Sequence, residues 1–372
     1  MTNDQRLTTV LDALQLIRSE NVGPVTYYNL LSYYGSPAEA LRAIPELAKR
    51  GGRKRPIKAC TRQAAEAELA ATQAAGAQLI TQSDAAYPPL LKEIADAPPV
   101  LAVKGQLEAL MQREVVGMVG ARNASAGGCQ FARKIARELG EEQIVISSGL
   151  ARGLDASAHA GAMASGTVGV IACGIDKIYP QENAGLYAEM AERGAIISEN
   201  PLGMEPLNRS FPARNRIIAG MSRALLVIEA AEKSGSLITA RNATEYGREV
   251  FAVPGSPLDG RSKGTNKLIK EGANLLESAE DVLAFLRNQQ QQLFEPDAPA
   301  FDAPAPALPR EDELAEARII LSERLGQSPV LVDEWLAQCQ VRPHVMVAAM
   351  LEMELAGRLI RHPGGSVSLG II

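Results

Sequence analysis

Histidine and cysteine are scarce in this 372-residue chain, which has three scattered histidines (His159, His344, His362) and four cysteines (Cys60, Cys129, Cys173, Cys339) that lie far from one another. No two cysteines form a C-x-x-C pair, so neither a structural zinc site nor a disulfide framework is expected, and reduced thiols are the plain reading. Also missing are the H-E-x-x-H zinc spacing, the G-x-S-x-G nucleophile turn and a complete P-loop. No apolar run nears the roughly 18 residues that span a bilayer, and nothing resembles a secretory signal. The expectation is a cytoplasmic protein with no membrane partner, no metal and no cofactor. Aromatic residues are only 4% of the chain, with six phenylalanines in all. A phenylalanine in a polar setting therefore carries information.

Apolar residues make up 46% of the chain, enough for a sizeable core, and the length suggests two to three domains. The net charge of −5 argues against a polyanionic partner only as an average. From Glu205 to Lys270 there are 11 basic and 6 acidic residues, and "KRGGRKRPIKACTR" (Lys49–Arg62) holds 7 basic residues and no acid. Such local asymmetry matters more than the total when one surface meets a polyanion.

Residues 1–80 read as helical. "VLDALQLIRS" and "YYNLLSYYGSPAEALRAI" have helical spacing and break at Gly23–Pro24 and Gly35. Short helices around a Gly-Pro turn fit a small SAM-like or helix-hairpin-helix domain, although Asn21 stands where a second hairpin glycine would help. Residues 81–287 form the next domain, and from about residue 98 apolar runs alternate with helical stretches: "EVVGMVG", "QIVISSG", "TVGVIACG", "GAIISEN", "ALLVIEA", "EVFAVPG" and "ANLLE". Continuous apolar runs suit strands buried on both faces, so an α/β, Rossmann-like parallel sheet is expected, with its ligand crevice at the carboxyl ends of the strands. Residues 288–310 are a Pro/Ala/Gln linker, which suggests a tail that moves independently. Residues 311–372 form the last domain, in which Val330–Leu369 runs helix, helix, then a Gly-Gly turn with short strands, the order of a winged helix. DNA binding and protein contact both remain open for it.

Three loops between strand and helix could seat phosphate. In "VVGMVGARNASAGG" (Val115–Gly128), Gly120 allows close backbone approach, Ser125 and neighbouring amides sit at a helix start, and Arg122 offers a forked donor. The loop departs from G-x-G-x-x-G, and the next strand ends in Ser147, Ser148 and Gly149 with no acid for a ribose, so a dinucleotide cofactor is not expected. Ser148 and Gly149, where the next loop begins, are expected among the DNA contacts. In "SFPARNRIIAG" (Ser210–Gly220), Pro212 suits a first helical turn. Arg214 and Arg216 lie near that start, where cations are at odds with the helix dipole unless an anion is present. Phe211 beside them suits stacking against a base, and the bland reading is a staple under the helix. Ser234, Gly235 and Ser236 form another small-residue anion seat, followed by Lys263 in "GRSKGTNKLIKEGA". Several seats along one sheet edge suit a chain of phosphates. Asp155 and His159 share a helix face, but they read as a cap and a packing residue, because no nucleophile accompanies them.

The ordered set "SGLARGLDASAHAGAM", "ACGIDKIYP", "SENPLG", "FPARNRIIAGMS", "EAAEKSGSLITARNATEYGREVFAVPG" and "GTNKLIKEGA" resembles the DNA-processing protein A (DprA, also called Smf) family. The likeness runs over nearly the whole chain. It implies an extended Rossmann domain flanked by a SAM-like domain and a winged helix, binding of single-stranded DNA, delivery of the RecA recombinase during natural transformation, and a homodimer formed through the Rossmann domain. It also implies a DNA pocket at Gly120, Arg122, Phe211, Arg214, Asn215 and Arg216, with no catalysis. Ala121 stands where many members have serine. The alternative is a nucleotide-processing enzyme of the phosphoribohydrolase-like Rossmann type, whose P-G-G-x-G-T-x-x-E pattern is approached only by "GSPLDGRSKGTNKLI". A purely protein-binding adaptor is the third reading.

Overall fold

The computed structural model describes residues 3–292, 309–339, 341–362 and 365–370. The chain begins with α1 (Asn3–Ile17), α2 (Pro24–Tyr34), α3 (Pro37–Arg50) and α4 (Arg62–Ala74). Next come β1 (Gln78–Thr81), β2 (Val100–Gly105), α5 (Leu107–Leu110), β3 (Val115–Val119), α6 (Ala126–Glu141), β4 (Val145–Ser148), α7 (Leu154–Ala162) and β5 (Thr167–Val170). These are followed by α8 (Ala184–Arg193), β6 (Ala195–Ser198), α9 (Ser210–Gly220), β7 (Ala224–Val227), α10 (Gly235–Glu245), β8 (Glu249–Ala252), α11 (Lys263–Lys270), β9 (Asn274–Leu275) and α12 (Ala279–Gln292). Last are α13 (Glu311–Arg324), β10 (Val330–Leu331), α14 (Val332–Ala337), α15 (Pro343–Leu355), β11 (Leu359–His362) and β12 (Ser366–Leu369). Among the described residues no helix is long and apolar enough to cross a membrane.

Two compact units result, Glu68–Pro299 and a second made of Met1–Ala67 with Ala300–Ile372. The larger is built on a nine-stranded sheet of order β1-β2-β6-β5-β4-β3-β7-β8-β9. From β6 to β9 every pairing is parallel, while β1 and β2 add an antiparallel edge. The seven expected apolar runs supply the seven parallel strands. The helical reading of residues 1–80 fails at β1, because four residues, "QLIT", are too few to show a period. Val116, Met118, Ile146 and Leu226 from the sheet pack with Ile135 and Leu139 of α6, all fully buried. The strand order reverses at β3, which has β4 on one side and β7 on the other. Loops leaving these strands diverge there and open a crevice.

The smaller unit joins the helical N-terminal residues to the winged helix. Leu314 and Leu321 of α13, Trp335, Met346 and Met350 of α15, and Val367 of β12 form its core, beside the antiparallel order β10-β12-β11. Nine residues of α15 are buried, more than one face of a helix provides, because α13 packs on one side and α3 on another. The expected free tail is thus corrected. Asn21 Nδ2 donates to Leu355 O at 3.1 Å, and Arg358 Nη1 donates to Gly51 O at 3.4 Å. Asn21 adopts φ 60°, the left-handed conformation a hairpin glycine would have taken, and its side chain ties the turn to α15. The expected linker is shortened, since α12 continues to Gln292 and residues 293–308 lie outside the described residues.

Candidate nucleic-acid interface

A cleft of about 770 Å³ opens at the carboxyl ends of β3 and β7. Its walls are the loop after β3, the first turns of α9 and the start of α10. Of the expected contacts it gathers Gly120, Arg122, Phe211, Arg214, Asn215, Ser234, Gly235 and Ser236. Ser125, Ser148, Gly149, Arg216 and Lys263 are not among its lining residues.

Arg122 is exposed, and its guanidinium carbon lies over the Phe211 ring at 4.6 Å from the centroid. Arginine favours this position because the ring face is electron-rich. On the Phe211 ring also rests Tyr179, centroids 5.7 Å apart and planes at 50°. Tyr179 is 45% exposed, so an aromatic surface beside a cation faces solvent. Gly153, at φ 78°, makes this loop placement possible: a Cβ there would come within 2.6 Å of the Ala121 and Arg122 carbonyl oxygens. Gly120 serves packing, not ligand approach, because a Cβ would strike Leu154 Cδ1 at 2.1 Å.

Helix α9 starts at Ser210, two residues earlier than Pro212 suggests. This places Arg214 on the inner face, 5% exposed. Arg214 Nη1 donates to Gly149 O and Val170 O, and Nε to Asn215 Oδ1 at 3.2 Å. The buried Asp155 lies close by: a Cβ on Gly149 would meet Arg214 Nη1 at 2.4 Å and Asp155 Oδ2 at 2.6 Å. Asp155 accepts from Ala151 N at 3.3 Å, and so pins the preceding loop and not the α7 amides. Burial pushes the Arg214 guanidinium down to about 10 and the Asp155 carboxyl up, and each charge opposes the other's shift. Arg214 braces the cleft floor more than it offers a free charge.

Arg216 points the other way. It is bound to Glu199 and to the Asp96 carbonyl, with the Asp96 carboxylate at 3.6 Å, so the expected phosphate contact is corrected to an internal ion pair. Ser148 donates to Met118 O at 2.6 Å in the core. Gly149 is covered by Arg214 and Asp155. Lys263 opens α11 as an exposed residue. His159 is fully buried and bonded to Thr167 Oγ1 at 2.8 Å, and burial pushes it down to about 3, so it stays neutral in the core.

Ser125 caps α6 through Gly128 N at 2.9 Å, but an internal anion already occupies that helix start. The Glu229 carboxylate, at the end of β7, accepts from Ser125 N at 2.9 Å and from Ser125 Oγ. Gly128 admits it, since a Cβ there would lie 2.6 Å from Glu229 Oε1. The positive end of the α6 dipole is thereby neutralised from within. Glu229→Ala should leave that seat empty, lowering stability by about 1–3 kcal/mol. Phosphate at constant ionic strength should then raise the melting temperature of the variant by more than that of the parent, whose seat at α6 is already filled. Identical phosphate responses would refute the assignment.

At α10 the seat is open. Ser234 caps the helix through Ser236 N at 3.3 Å, Asn215 Nδ2 reaches Gly235 O at 3.4 Å, and beyond its own stretch of chain a Gly235 Cβ would meet none of the described residues within 4 Å. Among the lining residues that were not anticipated are the polar Asn123, Lys233 and Arg261. Lys233 is exposed and has no ion pair among the described residues, whereas Arg261 is held by Asp259 at 2.8 Å. A lysine directly before the Ser-Gly-Ser seat was a readable signal. Tyr179 was not, because 32 residues separate it from Phe211 in the sequence.

The family model described as DNA recombination-mediator protein A matches residues 78–287. The DprA-like N-terminal HHH domain matches residues 8–71, and the DprA winged helix domain residues 303–365. Protein Smf of Escherichia coli (strain K12) is 37% identical over 321 residues, covering 83% of this chain and 82% of that one. The X-ray structure of DNA processing protein A from Streptococcus pneumoniae superposes with a TM-score of 0.61 at 36% identity, covering 76% of this chain and 98% of that one. A structure of DNA processing protein A from Helicobacter pylori, described for its single-stranded DNA binding mode, gives 0.53 at 30% identity, with 57% and 97% covered. With the sheet order, the flanking domains and these matches in agreement, the chain belongs to the DNA recombination-mediator protein A (DprA/Smf) family.

Proposed function

We propose that this protein binds single-stranded DNA, without sequence preference, in the cleft at the carboxyl ends of β3 and β7. The observation that carries the reading is the exposed stack of Arg122 on Phe211 with Tyr179 alongside. Bases stack on such rings whatever their identity, while cations and loop amides take the phosphates. Arg122, Lys233 and the amides at the start of α10 are the phosphate contacts, and Phe211 and Tyr179 the base contacts. The Helicobacter pylori relative, whose structure is described for binding single-stranded DNA, supports the same ligand class. The nucleotide-processing alternative loses ground at α6, where Glu229 fills the seat a mononucleotide phosphate would need. Delivery of RecA onto the bound strand, dimerisation through the Rossmann domain and a binding role without catalysis complete the proposal, and rest on the family resemblance.

The test is fluorescence anisotropy with labelled single- and double-stranded DNA of equal length across a salt series. The expected result is a preference for the single strand. Log K should fall with log salt by about 0.7 per phosphate neutralised. Equal affinities for the two forms, or no binding, would overturn it.

A further inference from the structure

The basic run between α3 and α4 takes no part in the cleft. Its bland explanation is service to the C-terminal dipole of α3, and that holds for Lys49 and Arg50, which lie in the last turn. It cannot hold for Lys54, Arg55 and Lys58, which lie beyond the helix and are exposed.

Neighbouring acids do not consume these three charges. Glu20 is taken by Arg53 at 2.8 Å, and Asp12 and Glu66 by Arg62 at 2.6 and 3.3 Å. Lys54 and Arg55 have no ion pair among the described residues, and Lys58 feels Glu20 only at longer range. The loop is nonetheless held in shape. Glu20 accepts from Lys58 N at 3.0 Å, Glu20 N donates to Lys58 O at 3.0 Å, and Arg53 Nε donates to Arg55 O at 3.0 Å. Charges on a fixed backbone lose less entropy on binding than charges on a free tail.

The loop also lies directly on the winged helix. A Cβ on Gly51 would fall 2.0 Å from Glu352 O, and one on Gly52 2.8 Å from Arg358 Nη1. Arg358 bonds a carbonyl and the Ser322 hydroxyl, not a carboxylate. Residues about 300 positions apart thus meet, with the half-buried Arg358 at the edge of the loop. Meanwhile α15, the helix a winged helix could lay in a groove, is buried.

From this juxtaposition we propose that Lys54, Arg55 and Lys58, continued by Arg358, form a second seat for nucleic-acid backbone. It reads charge and not base, since among the described residues no exposed aromatic ring accompanies the loop. The inference extends the proposed function, but stands on different residues.

The experiment compares the full-length parent with Lys54→Ala/Arg55→Ala/Lys58→Ala on two oligothymidylates, one of roughly 8 nucleotides, the scale of a single binding module, and one about five times longer. On the longer strand the variant's salt slope should be shallower by about 2, three contacts at about 0.7 each. Binding of the short strand should be unchanged. Lys54→Arg/Arg55→Lys/Lys58→Arg, which keeps the charge, should restore the parent slope. A parent-like slope in the alanine variant would overturn the second seat while leaving the cleft reading intact. Loss of short-strand binding in the parent, with a loop-dependent slope on the long strand, would overturn the cleft reading instead. No binding of either strand by the parent would overturn both.

Discussion

Arg214→Met should lower the stability of the protein by about 3–5 kcal/mol, the cost of breaking a buried charge arrangement by removing one partner. The substitution fills similar space but strips the donors from Gly149 O and Val170 O and leaves Asp155 buried without its opposing charge. For a unit of this size the melting temperature should fall by about 10 °C. Asp155 gives the pH dependence its sign. In the variant its carboxyl rises further above the ordinary range, so the native state holds that proton more tightly than the unfolded chain does. Acidification then favours the native state, and the deficit against the parent should shrink from pH 7 to pH 5. Asp155→Asn/Arg214→Met should recover part of the loss at neutral pH. A variant that melts with the parent would show that Arg214 is free for a ligand. Loss of DNA binding in an Arg214 variant is therefore no measure of direct contact.

Arg122→Ala/Phe211→Ala should do the opposite, sparing the fold and removing the ligand. Neither side chain is buried, and Arg122 contributes no ion pair among the described residues. Loss of one stacking platform costs about 1–3 kcal/mol per base. Loss of one phosphate contact also flattens the salt slope by about 0.7. Affinity for a single strand should drop from tenfold to several hundredfold, as read by anisotropy, with the melting temperature unchanged. The two effects separate by salt: Phe211→Ala should weaken binding equally at all salt concentrations, and Arg122→Ala should lose most at low salt. Parent-like affinity in the double variant would remove this cleft as the binding site.

These contrasting outcomes show where the sequence is informative. Six of the seven parallel strands, β3 to β8, were legible because burial on both faces leaves continuous apolar runs, whereas β9 is a short exposed edge. That Arg122 and Phe211 come together at the cleft was legible, because a cation in a glycine-rich loop and a rare aromatic beside arginines have few structural uses. Arg216, Ser125 and Ser148 misled for one common reason. A sequence displays a polar group but not the partner that consumes it. Arg216 is spent on Glu199, and Ser125 on Glu229, 104 residues downstream. Arg214 is the intermediate case, correctly placed at the cleft and wrongly read as uncommitted. The winged helix showed its element order but not its neighbour, because nothing local to α15 says that α3 will cover it.

The bond from Asn21 to Leu355 spans 334 residues, and that span sets an order of events at the ribosome. At about 5–20 residues per second, the partner of the first helices arrives on the order of tens of seconds after they have emerged. Glu68–Pro299, which encloses its own core, is made in between. The N-terminal helices therefore wait, with the flank of α3 and the Gly51 edge uncovered, until α15 is synthesised. A chain cut short in its tail would lose more than a winged helix: its opening helices would stay permanently in that unfinished state.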